Sequence, residues 1–477
     1  MSDTQQRQGM RRLPFPTESY EHPSLPLSAK RLLNCFAEKA PGDARAPVVL
    51  RTTPGLAFRE SLGSGPLKAF NKDLVGGYYA VSGTQAFRHT AAGTVLIGNV
   101  GTESNPAIEP PDVTVTIAVS PDYVVICVPP RLYAATHTAT SLTLIDTSAF
   151  PGGGCSSITY IDGYFVGTQW GAGDKFFHSA LRNPFSWDAL AFASADNIVN
   201  TLFMAITQRG ELWLLGAAGN EVWYDAGASD FPFRRRTGGV FTPGVVPRSV
   251  VQLDNSVWYV ARDGTVYRSD TTAYTVKRVS THAIEAIIET SNPEYALAVG
   301  YMQEGHAYYC LTLTDLGRTL CYDAATQQWH DRSSGADGTG PWRALVAGRV
   351  GENVYVGDNA GRMYWLEADG TTDNGVPIYQ RVTMPPLYAE TRRAFCARAE
   401  VEMEAPPATD VVLTWSDDGG RMFGGGPRVM SGADVQAQRR RLTTNRLGSF
   451  RERVFRIETH GRTSIYAVDA DVSAGAH

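Results

Sequence analysis

The stretch NSVWYVARDGTVYRSD, residues 255–270, decides the fold of this chain. Two runs of alternating apolar and polar residues flank Asp263-Gly264. An Asp-Gly pair between such runs is the strongest short-range signal for a β-hairpin. The stretch is therefore predicted to form two antiparallel strands joined by a tight turn.

The same hairpin pattern recurs along residues 60–370, with six further copies such as GYYAVSGTQAFRH and GELWLLGAAGNEVWYDA. Equivalent positions lie about 45 residues apart, which is the period of a four-stranded propeller blade. These positions are Tyr78, Tyr123, Tyr164, Glu211, Val257, Ala307 and Val354. Around the fifth copy, four short strand-like runs fill residues 248–280, as a complete blade requires.

Helical periodicity is confined to THAIEAIIET, residues 281–290, so the fold class is expected to be all-β. Seven hairpins predict a β-propeller of seven blades. Six blades is the alternative, because the first and last copies are the weakest. The Pro54-Gly55 turn in TTPGLAFRESLG is expected to lead the chain into blade one.

The two ends of the chain break the repeat. Residues 1–56 are rich in proline near their start and are predicted to be an extended N-terminal arm, with AKRLLNCFAEKA as a docking segment. Residues 57–375 would form the propeller. Residues 376–477 contain longer alternating strands with Gly and Asp turns, and are predicted to be a C-terminal β-sandwich-like domain.

Composition excludes several classes of protein. The net charge of −5, from 43 basic and 48 acidic residues, argues against a dedicated duplex-DNA binder but not against a surface that DNA slides past. Neither a membrane-spanning run nor an apolar secretory signal is found. The six cysteines lack CxxC spacing, so reduced thiols are expected and a zinc site is not. A Cys310–Cys321 bridge across one hairpin is the alternative.

Sequence motifs for catalysis are missing: there is no HExxH, GxSxG or Walker pattern. We therefore predict no catalytic, cofactor-binding or metal-binding residues and no enzymatic activity. WSDDGGRMF, residues 415–423, has the Asp-box spacing of sialidases, but it occurs once and outside the repeat. A turn held by Asp side-chain bonds to its own backbone explains it.

Arginine clusters are the remaining candidates for binding. Alternating arginines on a strand indicate first a solvated face and second a subunit interface with bidentate Arg–carboxylate pairs. The candidate interface residues are Arg439, Arg440, Arg441, Arg451, Arg453 and Arg456.

In the order of these elements the chain resembles the packaged-DNA-stabilisation or tail-hub proteins of short-tailed bacteriophages. The arm carries LLNCFAEKA, in which Asn34, Phe36 and Glu38 match a typical family segment, followed by LRTTPGL. In mid-chain, ITQRGELWLLGAAGNEVWYDAGASDFPFRR is similar to a family blade. LTWSDDGGRMF and RRLTTNRLGSFRERVFRIE are similar to the family ending.

This resemblance implies a non-enzymatic structural virion protein in the phage tail, made in the host cytoplasm. It implies a homohexameric tail hub or nozzle below the portal and adaptor proteins. Such a ring helps retain packaged DNA, forms part of the DNA ejection channel, and carries tail fibres or spikes and a plug or needle. Viral double-stranded DNA would pass through it transiently, and no cofactor or membrane insertion is implied. The alternatives are a propeller glycosidase or sialidase-like enzyme acting on bacterial surface glycans, and a cellular protein-binding propeller scaffold.

Overall fold

The computed structural model describes residues 9–40, 46–101, 114–197, 201–389, 392–406, 409–424, 427–430 and 439–474. The regular secondary structure of the described part is almost entirely strand. Its one α-helix, α1 (His282–Glu289), lies where THAIEAIIET predicted it and is capped by Thr281, whose hydroxyl accepts from Ile284 N. The all-β prediction is confirmed.

Six short strands precede the repeat. They are β1 (Arg11–Arg12), β2 (Tyr20–Glu21), β3 (Ala29–Leu33), β4 (Cys35–Lys39), β5 (Val48–Thr52) and β6 (Gly55–Ser61).

The repeat itself forms a β-propeller whose first six blades each consist of four consecutive antiparallel strands. In blades 1 to 3 these are β7 (Leu67–Lys72), β8 (Tyr78–Ser82), β9 (Gln85–Thr90), β10 (Gly93–Asn99), β11 (Thr116–Val119), β12 (Tyr123–Val128), β13 (Arg131–Thr136), β14 (Thr143–Ile145), β15 (Cys155–Ile161), β16 (Tyr164–Gln169), β17 (Lys175–Ala180) and β18 (Asn183–Ser194). In blades 4 to 6 they are β19 (Leu202–Gln208), β20 (Glu211–Gly216), β21 (Asn220–Asp225), β22 (Phe233–Phe241), β23 (Val251–Leu253), β24 (Ser256–Val260), β25 (Val266–Asp270), β26 (Thr275–Arg278), β27 (Ala296–Gln303), β28 (His306–Leu313), β29 (Arg318–Asp323) and β30 (Gln328–Arg332).

A seventh blade is composite. Three consecutive strands, β31 (Val346–Val350), β32 (Asn353–Gly357) and β33 (Arg362–Glu367), are joined by β6 from the start of the chain. Within the described residues, seven separate apolar clusters fill the spaces between neighbouring blades. The propeller is thus seven four-stranded units, six continuous in sequence and one closed by an early strand.

The Pro54-Gly55 turn leads into this closing strand and reaches blade 1 only afterwards, which corrects the expected path. Gly55 is needed there for space, because a Cβ atom at this position would lie 2.5 Å from the carbonyl oxygen of Thr372. Arg332 fixes the same turn by donating to Pro54 O at 2.9 Å.

The C-terminal strands form a two-sheet sandwich together with the N-terminal ones. Before it begins, β34 (Thr372–Asp373) and β35 (Val376–Pro377) extend the sheet of blade 7 beside β6. The C-terminal strands of the sandwich are β36 (Tyr379–Thr383), β37 (Leu387–Tyr388), β38 (Ala394–Glu404), β39 (Val411–Ser416), β40 (Arg428–Val429), β41 (Arg439–Asn445), β42 (Ser449–Phe450), β43 (Glu452–His460) and β44 (Ser464–Ala474).

One sandwich sheet has the order β4-β5-β44-β38-β41, and the other continues from blade 6 as β30-β3-β36-β43-β39-β40. Their shared core includes Leu32, Leu50, Val401 and Ile457. The segment predicted as an extended arm therefore supplies strands to both sandwich sheets and to the last blade.

All six cysteines are buried free thiols. Cys310 and Cys321 face each other across β28 and β29 but are not bridged. No described helix has the length and apolar character needed to cross a membrane.

Candidate functional site at the junction of propeller and sandwich

The seam between blade 6 and the sandwich is built on the family-like segment LLNCFAEKA. Leu33 pairs in parallel with Asp331, at the end of the outer blade strand β30. Asn34 then adopts a left-handed backbone conformation, with φ of 54°, which asparagine tolerates better than most residues. This kink separates β3 and β4 and sends them into different sandwich sheets.

The side chain of Asn34 is fully engaged at this kink. Its amide nitrogen donates to Ser333 O at 3.0 Å and to Tyr379 O at 2.8 Å. Its amide oxygen accepts from Ser333 N at 2.9 Å. One buried side chain thereby ties together the N-terminal segment, the propeller and the first long sandwich strand.

A buried carboxylate lies beside this kink. Asp331 is completely buried and accepts hydrogen bonds from Arg318 Nε at 2.6 Å and from the hydroxyl of Ser19 at 2.8 Å. Arg31 approaches the same carboxylate at 3.2 Å. Burial by itself opposes ionisation, but the two arginines outweigh it and lower the pKa of Asp331 to about 2.

Phe36 and Glu38 make the second half of the seam. Phe36 is 5% exposed, and its ring packs against His306, Tyr308 and His330 of blade 6. Glu38 lies 3.1 Å from His306 Nε2. Blade 6 therefore offers a pocket of rings in which the N-terminal strand β4 is anchored.

The two histidines of this pocket are in opposite electrostatic situations. A hydrogen bond to Asp323, with Nδ1 of His306 at 2.8 Å, raises the pKa of His306. Burial lowers the pKa of His330 to about 4, and Nε2 of His330 has no hydrogen-bond partner. The surroundings of His306 therefore favour its protonated form, and those of His330 favour its neutral form.

Three family-like residues, Asn34, Phe36 and Glu38, thus converge on one buried seam with a blade of the propeller. A model of the family described as bacteriophage P22 Gp10, beta-propeller, matches residues 30–371 of the chain. The chain belongs to this family. Because this is a family of phage structural proteins, the chain is a structural component of a virion.

The other comparisons give either no match or a distant likeness. No curated protein matches the chain. The WD40 beta propeller domain of Doa1 is 11% identical, covers 66% of this chain and 97% of its own, and superposes with a TM-score of 0.42. YCF48 from Cyanidioschyzon merolae is 10% identical, covers 66% and 99%, and gives a TM-score of 0.44. Likeness at this level carries no argument about the role of the family member described here.

The candidate interface arginines whose side chains are described lie in different surroundings. Arg441 and Arg451 are exposed, and Arg441 pairs with Glu400 at 2.8 Å across β41 and β38. The side chains of Arg439 and Arg440 lie outside the described residues, although their backbone continues β41 opposite Glu404 and Met403.

Arg453 acts inside the sandwich. It is 1% exposed and makes a bidentate pair with Asp417, with nitrogen–oxygen distances of 2.6 and 2.7 Å. Its guanidinium also stacks near Trp415 and Phe450. In this conformation the residue holds the sandwich together and presents no surface to a partner subunit.

Arg456 is half-buried, with its guanidinium 3.3 Å from the ring centre of Phe423. Burial lowers the pKa of this arginine to about 10. Its position on β43 separates it from Arg441 on β41, so the predicted set divides into two exposed and two internal side chains, with two outside the described residues.

The Asp-box-like turn behaves as a structural turn. Asp418 accepts from the backbone nitrogens of Arg421 and Met422, each at 3.0 Å, and its pKa is lowered mainly by the bond from Met422. Ser416 accepts from Gly420 N at 2.9 Å. Within the described ranges, no group of three His, Cys, Asp or Glu side chains is placed to hold a metal ion.

Sequence reasoning named Asn34, Phe36 and Glu38 only through the resemblance, and it did not single out Asp331, His306 or His330. A signal was present in WHDRSS, residues 329–334. Polar residues replace the apolar alternation there, at the end of β30. Such a break indicates a strand whose outer edge meets another part of the protein.

Proposed function

We propose that this virion protein is a subunit of the tail hub or nozzle, below the portal and adaptor proteins. It assembles as a homohexameric ring, helps retain packaged DNA, lines part of the ejection channel and anchors tail fibres or spikes together with a plug or needle. In this proposal its role is mechanical and not enzymatic.

The observation that carries the proposal is the way the N-terminal strands connect the molecule. β3 joins blade 6 to one sandwich sheet, β4 and β5 belong to the other, and β6 closes blade 7. Moving the sandwich relative to the propeller would break the Asn34 bonds and expose the buried charge of Asp331. A stiff two-part subunit of this kind suits a ring that bears the pressure of packaged DNA.

The surface chemistry is compatible with this role. The chain has a net charge of −5, so double-stranded DNA can pass without strong electrostatic attachment. On the sandwich, exposed Phe395 pairs with Ser449 and exposed Tyr388 pairs with Glu452, and Arg451 lies between these two partners in the chain. Such mixed apolar and basic surface is typical of protein–protein contacts.

Imaging of the purified protein by negative stain, alone and after mixing with the portal complex, tests the proposal. We expect six-fold rings in the mixture, seated on one face of the portal. A monomer that persists in the presence of the portal complex would contradict the hub role. Hydrolysis of bacterial surface glycans by that monomer would support the enzyme alternative instead.

A further inference from the structure

Three arginines lie side by side on the sandwich sheet that continues from blade 6. In strand register, Arg31 of β3 and Arg456 of β43 lie opposite the same residue, Thr383 of β36. Thr414 of β39 lies opposite Arg456 on its other side. Directly opposed residues of antiparallel strands have side chains on one face, and Arg381, two residues from Thr383, shares it. The register therefore brings arginines from three strands together.

The residues between these positions show which way this face points. Leu32, Val382 and Ile457 alternate with the arginines along their strands and belong to the core between the two sandwich sheets. The arginine face therefore points away from the other sheet. At its end, the Asp-box-like turn places Phe423 against Arg456, with the guanidinium carbon 3.3 Å from the ring centre. The turn thus contributes a wall to this face.

Two of the three arginines are paired and the third is not. Arg31 lies 3.2 Å from Asp331. Arg381 lies 3.3 Å from Glu458. Within the described ranges, Arg456 makes neither a hydrogen bond nor an ion pair. Burial, and then the charge of Arg381, lower the pKa of Arg456, and the charge of Glu458 does not offset them. One positive charge on this face therefore lacks a partner of its own.

Unsatisfied polar atoms lie on the same face. The Nε atoms of Arg31 and Arg456 are buried and have no hydrogen-bond partner among the described residues. The hydroxyl of Thr414 is also buried without a partner there, and this residue is only 7% exposed. A buried polar group left unpaired costs stability, and each such group in a native structure needs an explanation. All three atoms can donate, so the group that would satisfy them is an acceptor.

We propose that this face of the sandwich binds one compact oxyanion, a carboxylate or phosphate group, held by Arg456 and Thr414 with Arg31 beside them. Arginine holds such groups through two parallel hydrogen bonds, which would use the free Nε of Arg456. A DNA duplex is too broad to reach the nearly buried Thr414. The oxyanion is therefore a free ion or the tip of an acidic side chain on a partner polypeptide. The site lies within one subunit and does not depend on the proposed ring.

Thermal unfolding of the full-length protein with added sodium phosphate or hexaglutamate tests the site, with sodium chloride keeping the ionic strength constant. We expect the melting temperature of the wild type to rise with ligand concentration and to saturate. Arg456→Gln should increase the concentration that gives half of the shift by about ten-fold, and Thr414→Val by about three-fold.

Arg428→Gln is the matched control. Arg428 is exposed on the neighbouring strand β40 and lies opposite Leu413, whose side chain belongs to the sandwich core. The substitution removes the same charge from the other face of the sheet, and it should change the half-saturating concentration by less than about two-fold.

Saturation by phosphate would assign the site to a free ion, and saturation by hexaglutamate alone would assign it to an acidic side chain of a partner. The absence of a saturable shift with both ligands would overturn the proposal, as would equal weakening by Arg428→Gln. If Arg456→Gln fails to fold, Thr414→Val decides. Without ligand, Thr414→Val should not lower the melting temperature, because the hydroxyl has no partner among the described residues. A lower value would show that the hydroxyl is already satisfied and would contradict the site.

Discussion

The blades of the propeller and the seam that joins blade 6 to the sandwich are built in opposite ways. Strands of one blade follow each other directly in sequence, and apolar clusters fill the spaces between blades. At the seam, strands from the two ends of the chain meet. The bond from the Asn34 amide to Tyr379 O, for example, spans 345 residues. Buried polar and charged side chains lie where these strands meet.

The contrast shows how one chain combines a repeat with a unique attachment. Apolar packing is tolerant of exchange between similar blades, because it depends mainly on volume and burial. A buried charge such as Asp331 is satisfied only where its own arginines lie. We infer that the polar groups select blade 6 as the attachment point among seven similar blades.

Asp331→Asn gives the sharpest test of this contrast. It removes the buried charge that pairs with Arg31 and leaves Arg318 with Glu21 alone, and we expect a loss of about 3–5 kcal/mol in the free energy of unfolding. Asp263→Asn, in an exposed blade turn, should cost less than about 1 kcal/mol. Urea unfolding of both variants measures the difference. Equal losses would show that the seam is no more sensitive than a blade turn.

Leu56→Ala tests the closure of the ring by an early strand. Leu56 is 1% exposed and belongs to the cluster between blades 6 and 7, so truncation should cost about 2–5 kcal/mol. Leu144→Ala, on the exposed outer strand of blade 2, is the control and should be nearly neutral. Denaturant titrations followed by tryptophan fluorescence report both values. A neutral Leu56 variant would mean that β6 does not secure the last blade.

Ser269→Ala examines a polar contact inside one blade. The Ser269 hydroxyl is buried and accepts from Val257 N at 2.8 Å. Its removal leaves that donor unsatisfied, at an expected cost of about 1–3 kcal/mol. Ser141→Ala, at an exposed position, serves as the control in the same unfolding assay. A larger loss than for Asp331→Asn would reverse the proposed ranking of seam over blade.

The seam should also respond to pH through His330. Burial lowers the pKa of His330 in the folded protein to about 4. The stability that the neutral side chain contributes is therefore complete above the unfolded pKa of about 6.5 and is lost as the pH falls toward 4. Between pH 7.5 and 5.5, the free energy of unfolding of the wild type should fall by about 1.4 kcal/mol more than that of His330→Gln. His306 has a raised pKa and acts in the opposite sense. The stability that protonated His306 contributes is complete below its pKa in the unfolded chain, and it is lost as the pH rises through its pKa in the folded protein.

Unfolding of the wild type and His330→Gln at both pH values separates these effects, since His306 is present in each protein. If the difference in unfolding free energy between the two proteins is the same at both pH values, His330 takes up its proton in the folded seam without cost.

The exposed edge of the sandwich should show the smallest effect on stability. Arg439→Glu combined with Arg441→Glu is expected to change the free energy of unfolding by less than about 1 kcal/mol, because Arg441 is exposed and its partner Glu400 keeps a second ion pair with Arg398. The same pair of changes should impair ring assembly with the portal complex. Arg209→Glu with Arg262→Glu, on the propeller surface, is the control. Unchanged assembly would assign the edge arginines to a solvated face.

Much of the propeller could be predicted because its signals are local. Asp263-Gly264 lies between two alternating runs, and such a hairpin forms from neighbouring residues. The repeat period then implied blades without any knowledge of tertiary contacts. Arg453 shows where this reasoning ends: its alternation with Arg451 indicated a surface, yet its side chain is buried against Asp417. Nothing local to the strand shows that the side chain of Arg453 is covered by other parts of the sandwich.

From the sequence alone came the class of fold, the hairpin repeat and the helix at residues 282–289, since strand alternation and turn chemistry are properties of adjacent residues. The tertiary structure alone decided that the N-terminal segment completes both the last blade and the sandwich. It also decided that blade 6 carries the attachment to the sandwich. These are contacts between residues far apart in the chain, and they depend on how the whole ring closes.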